Sequence, residues 1–133
     1  MDVEATVARL RRQGSDDAAA EAKSSVGKLP KDVWNTVSAF ANTDGGLILL
    51  GLHEAEGFAP ATGFKAQPII DALTAGMPAS PSNASPRVEP VPDHEIESVE
   101  VDGRPVIALR IEPLRGDQQA PCFVVDKGLE NGS

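Results

Sequence analysis

Two glycines followed by an unbroken aliphatic run set the tightest limit on what this chain can fold into. Thr43-Asp44-Gly45-Gly46 interrupts a helical pattern, and Leu47-Ile48-Leu49-Leu50-Gly51-Leu52 follows at once. A short continuous apolar run between glycine turns reads as a central strand buried on both faces. The chain has 133 residues, room for one small domain.

The residues before that run supply a helix. Val33, Val37, Phe40 and Ala41 form an i, i+4, i+7, i+8 stripe, widened by Trp34, which predicts a helix over 30–43. Pro30 suits its first turn and Asp32 its N-terminal dipole, while Gly45 and Gly46 can take the left-handed conformation of a helix exit. Val3, Val7 and Leu10 mark an amphipathic helix over 2–13, with arginines crowding its last turn. Ile69, Ile70, Leu73 and Met77 mark a second short helix after the aliphatic run, over about 66–76. Five prolines in residues 77–93 make that stretch irregular, apart from a brief strand at Arg87-Val88-Glu89.

Residues 95–101 and 104–112 flank Asp102-Gly103, the signature of a two-residue type I′ hairpin. That register sets Val99 opposite Val106 and Ile96 opposite Leu109. One face then carries Ile96, Ile107, Leu109 and Ile111, and the other Val99, Val101, Val106 and Ala108. Cys122-Phe123-Val124-Val125 reads as a last strand. This order predicts an α+β fold: a single mixed β-sheet with about three helices packed on it and a C-terminal β-hairpin. Residues 127–133 add no packing element, the expectation for an N-terminal module of a longer protein. The alanine-rich segment 18–23 is helical by propensity alone, and only the likeness of its flanking motifs to a known family makes it a strand.

Charge and composition exclude several function classes. A lone cysteine, Cys122, forms no internal disulfide and fits a reducing compartment. No apolar run approaches the roughly 18 residues of a membrane span, and residues 1–13 lack the apolar core of a signal peptide. A cytoplasmic protein without a membrane partner is the expectation. Net charge is −8, yet residues 1–31 carry six cations against five acids. A polyanion site would therefore draw on Arg9, Arg11, Arg12, Lys23, Lys28 and Lys31. One Trp, four Phe and no Tyr offer little for base stacking.

Other chemistries have thin support. Asp44-Gly45-Gly46 runs from helix to strand, the reverse of a phosphate loop. His53 and His94 lack partners at metal spacing, so no resident metal is expected. Cys122, in an apolar strand, reads as a buried thiol. Glu97 and Glu100 read as sheet surface. Asp16 and Glu21 flank segment 18–23, and Glu54 follows the aliphatic run. If those two segments are neighbouring strands, the three acids gather at one end of the sheet, as a divalent cation for phosphodiester cleavage requires.

Glu21-Ala22-Lys23, then Leu29-Pro30-Lys31-Asp32-Val33-Trp34 continuing through Ser38-Ala39-Phe40-Ala41-Asn42-Thr43-Asp44-Gly45-Gly46 to Leu52, resembles the Schlafen/AlbA-type DNA-binding domain family. The likeness extends through the hairpin from Val99 to Ile111 and the ending Pro121-Cys122-Phe123-Val124-Val125-Asp126-Lys127-Gly128, covering about residues 16–128. It implies a strand for residues 18–23. Bacterial proteins similar to this domain join it to winged-helix or ATPase-like regions and are described as transcriptional regulators or helicase-like proteins. Eukaryotic relatives include tRNA- and rRNA-cleaving nucleases with three acids, which map here onto Asp16, Glu21 and Glu54. Asp16 stands where the family has glutamate, and Ala22 where it has an aromatic residue.

The resemblance thus implies nucleic-acid binding, with DNA first, in a bacterial regulator. Lys23, Lys28 and Lys31 would contact phosphates, with Arg9, Arg11 and Arg12 steering. The alternatives are a metal-dependent ribonuclease using Asp16, Glu21 and Glu54, and a non-catalytic interaction module that forms homodimers.

Overall fold

The computed structural model describes residues 2–79, 85–114 and 121–125. Helix α1 (Val3–Gln13) begins where the Asp2 carboxylate accepts the Glu4 amide at 3.0 Å, satisfying one of the donors a helix start leaves open. Its buried stripe is Thr6, Val7 and Leu10. The alanine-rich segment forms a strand, β1 (Ala20–Lys23). Asp17 sets its start by accepting the amides of Ala19 and Ala20 on Oδ1, both at 3.0 Å.

Helix α2 (Val33–Ala41) is shorter than the 30–43 expected from its stripe. Pro30, Lys31 and Asp32 form a lead-in turn instead. The Val33 and Trp34 amides reach back three residues, to the carbonyls of Pro30 and Lys31, and the four-residue pattern starts only with Thr36 bonding Asp32. Gly45, the one left-handed residue at the exit, donates to the Phe40 carbonyl at 2.9 Å.

The strand expected over 47–52 is two strands. β2 (Gly46–Leu50) is buried throughout and ends at Gly51, whose φ of +110° turns the chain. A side chain there would be strained, and its Cβ would meet the Phe64 ring at 2.9 Å. The Gly51 amide bonds the Lys23 carbonyl at 2.8 Å, and its carbonyl accepts the Ala61 amide at 2.7 Å. Beyond the turn, β3 (Leu52–His53) pairs with β4 (Ala59–Pro60). Helix α3 (Ala66–Gly76) follows as its spacing predicts, and then the short β5 (Val88–Glu89).

β6 (His94–Val101) and β7 (Arg104–Ile111) form the hairpin in the expected register, Val99 opposite Val106 and Ile96 opposite Leu109. Asp102 and Gly103 both have positive φ, +53° and +80°, as a type I′ turn demands. The four-stranded sheet has the order β1-β2-β7-β6, with β1 parallel to β2 and the other pairs antiparallel. The last strand, β8 (Phe123–Val124), stays outside this sheet and pairs with β5. Asn42 holds it there: its side-chain oxygen accepts the Cys122 amide at 2.8 Å, and its amide nitrogen donates to the Cys122 carbonyl at 2.9 Å. Ser38 adds a bond to the same carbonyl at 2.8 Å.

Both sheet faces are covered, which makes the fold α+β. Ile48, Leu50, Ile107, Leu109 and Ile111 pack under α2 and α3 with Trp34, Phe40, Ile69 and Leu73. Leu47, Leu49, Val106 and Ala108 pack on the α1 side with Val7, Leu10 and Phe58. Burying each large aliphatic side chain contributes about 1.5–3 kcal/mol relative to exposure. No helix among the described residues is long and apolar enough to cross a membrane. The expectations for residues 126–133 fall outside the described residues.

Candidate nucleic-acid interface

Alternation along β1 decides where its charges point. Ala20 and Ala22 pack toward the α1 side, so Glu21 and Lys23 face α2. There the Thr36 hydroxyl donates to Glu21 Oε2 at 2.9 Å. Lys23 Nζ lies 2.7 Å from the same oxygen and 3.2 Å from Asp32 Oδ1, with its side chain only 10% exposed. Burial pulls the Lys23 pKa down, but the two carboxylates outweigh it and hold the pKa above the usual lysine value. Lys23 is charged, and its charge is spent inside the fold.

Asp16 and Glu54 meet beside β1. The Asp16 amide donates to Glu54 Oε2 at 3.2 Å, and Asp16 Oδ1 accepts the Ala22 amide at 3.1 Å. Burial lifts the Asp16 carboxyl to about 6; the Ala22 amide opposes the lift, and the Glu54 and Glu21 charges add to it. The three acids are thus close enough to feel one another. Glu21, however, is turned toward Lys23 and Thr36. Among the described residues no group of three or more His, Cys, Asp or Glu is arranged to hold a metal ion.

Two arginines of α1 are spent as well. Arg9 grips Asp17 through two bonds, Nε to Oδ2 at 2.9 Å and Nη2 to Oδ1 at 3.3 Å, and holds that carboxyl down to about 2. Arg11 bonds Asp102 Oδ2 at 2.7 Å and the carbonyls of Phe58 and Gly57 at 2.9 and 3.2 Å. These contacts tie α1 to the start of β1 and to the hairpin turn.

Among the described residues, Arg12, Lys28 and Lys31 are exposed and their side chains make no hydrogen bond or ion pair. They do not share a surface. Arg12 lines a groove with Glu4, Glu100 and Asp102. Lys28 and Lys31 line a separate cleft of about 430 Å³ with Leu29, Trp34, Gly76 and Arg87, and none of its described lining residues is an acid. Arg87 is a residue the sequence reasoning missed. It is an isolated cation in a proline-rich stretch, and only the approach of α3 to the α2 lead-in brings it beside the lysines.

Cys122 is buried, as its apolar surroundings predict, and burial raises its thiol pKa against an opposing hydrogen bond from Ser38. His53 and His94 sit on β3 and β6. The sequence pattern of the Schlafen, AlbA_2 family matches residues 16–122 of the chain. No curated protein matches it.

Proposed function

Because this chain belongs to the Schlafen, AlbA_2 family, we propose that it is a nucleic-acid-binding module, with DNA as the first candidate, of a cytoplasmic bacterial regulator. The observation that supports this most is the unspent charge of Lys28 and Lys31. Lys31 lies in the longest stretch of family likeness and Lys28 directly precedes it, and the side chains of both are exposed with no partner among the described residues. Arg9, Arg11 and Lys23 neutralise carboxylates within the fold and are left out of the contact. Arg12 adds steering. Contacts of this kind recognise phosphate, carry no base preference, and weaken with salt.

Mobility-shift titration at two salt concentrations tests the reading. Binding at low salt that fades at high salt, and that falls with Lys28→Ala and Lys31→Ala, supports it. No shift at low salt overturns it, and dimer formation without any shift points to the interaction module instead.

A second reading, a metal-dependent ribonuclease, draws support from the mutual influence of Asp16, Glu21 and Glu54 on the Asp16 carboxyl. The engagement of Glu21 by Lys23 and Thr36 speaks against it. Structured RNA that stays intact with magnesium or manganese removes this reading; cleavage abolished by Glu21→Gln would restore it.

A further inference from the structure

We propose that Lys28, Lys31 and Arg87 form one phosphate-binding cleft that takes the backbone of a single-stranded nucleic acid; this rests on the nucleic-acid-binding reading above. The chain carries a net charge of −8, so a polyanion is repelled over most of the surface and needs a local site. Two other grooves that hold arginine are rimmed by acids: Glu4, Glu100 and Asp102 around Arg11 and Arg12, and Asp2, Glu4, Glu97 and Glu100 around Arg110. The cleft at Lys28, Lys31 and Arg87 has three cations and no acid among its described lining residues.

Arg87 is built for the role by its backbone. Its amide donates to the Gly76 carbonyl at 2.8 Å, and its carbonyl accepts the Val125 amide at 2.9 Å. The main chain is pinned between the end of α3 and β8, while the side chain enters the cleft. Its Nε is buried and has no hydrogen-bond partner. The buried Nε fixes the guanidinium in place, and a phosphate in the cleft would meet the cation that lines it with a charge-assisted bond. The two lysines come from the segment between β1 and α2, so the cations approach the same space from separate parts of the chain.

Shape selects the ligand further. The floor is apolar, with Leu29 beside Trp34, whose ring packs against Gly76. Cations over such a floor attract an anion more strongly than cations in open water. A volume of about 430 Å³ lies at the lower end of the roughly 300–1,000 Å³ typical of small-ligand clefts. That space suits one nucleotide unit. Duplex phosphates stand on a convex ridge held rigid by pairing, whereas a single strand can bend a phosphate inward.

Fluorescence anisotropy with a labelled oligothymidylate and a labelled blunt duplex of equal length, on the full chain, tests the assignment. The single strand should bind more tightly than the duplex. Arg87→Gln should weaken single-strand binding roughly tenfold and lower the salt slope by about 0.7 for the lost phosphate contact. Arg87→Lys should fall between. Single-strand binding indifferent to Arg87→Gln and to a Lys28→Gln, Lys31→Gln double substitution overturns the cleft while the broader reading stands. A tighter duplex also overturns it. No binding of either probe at low salt removes the broader reading with it.

Discussion

Lys23 Nζ lies 2.7 Å from Glu21 Oε2, a pair formed within one four-residue strand. Residues two apart on a strand share a face, here the face toward α2, where Asp32 completes the arrangement at 3.2 Å. The basic residue of the family-like Glu21-Ala22-Lys23 string is therefore a strut between β1 and the start of α2.

Lys23→Met should cost about 1–2 kcal/mol in urea denaturation. Removing one partner of a buried pair costs more, but Asp32 is 66% exposed and Glu21 about a third exposed, so solvent screens part of the loss. The same variant should keep nucleic-acid affinity within about twofold of wild type. A Lys23→Met protein that is fully stable but cannot bind would make Lys23 a contact residue and not a strut.

Asn42→Ala should cost about 2 kcal/mol, since it removes both side-chain bonds to the Cys122 backbone. The loss should be local to β8. Cys122, 4% exposed in the fold, should react faster with a thiol reagent in the variant than in wild type. Equal reaction rates would show that β8 is held by something else.

Gly76→Ala should cost about 1–3 kcal/mol, the usual range for forcing a methyl into packed space. A Cβ at Gly76 would collide with Cη2 and Cζ2 of Trp34. Displacing that ring should also shift the Trp34 fluorescence, which reports on the floor of the cleft. A variant as stable as wild type with unchanged emission would contradict this packing.

Asp16 should titrate near 6 by carboxyl NMR, and Glu54→Gln should lower that value by removing a neighbouring charge. The sign for stability follows from proton binding. Between about 4 and 6 the folded chain keeps a proton that the unfolded chain has released, so this contribution to stability falls as pH rises through that window. Asp16→Asn should flatten the stability profile there. An Asp16 value at the ordinary carboxylate level would refute the burial argument.

Much of the fold was legible because its signals are local. Asp102-Gly103 carries the turn, and the period-two pattern on either side fixes the register from Ile96–Leu109 to Val99–Val106. The stripes of α1 and α3 depend only on their own spacing. Gly51 was harder, because the residues on both sides of it are apolar and only its left-handed backbone splits the run. β8 leaves the main sheet because Asn42, eighty residues earlier, captures its backbone. The site was less legible for the same reason. Counting cations by segment gathers six in the first 31 residues, yet three of them meet acids that only folding brings close, and Arg87 joins the lysines from far along the chain.

Amide chemical-shift mapping of the labelled protein, titrated with an oligothymidylate at low salt, tests the central claim most directly. The account predicts salt-sensitive shifts clustered at Lys28, Leu29, Lys31, Gly76 and Arg87. Shifts confined to α1 or to the β6–β7 hairpin, or a spectrum that does not change, would contradict it.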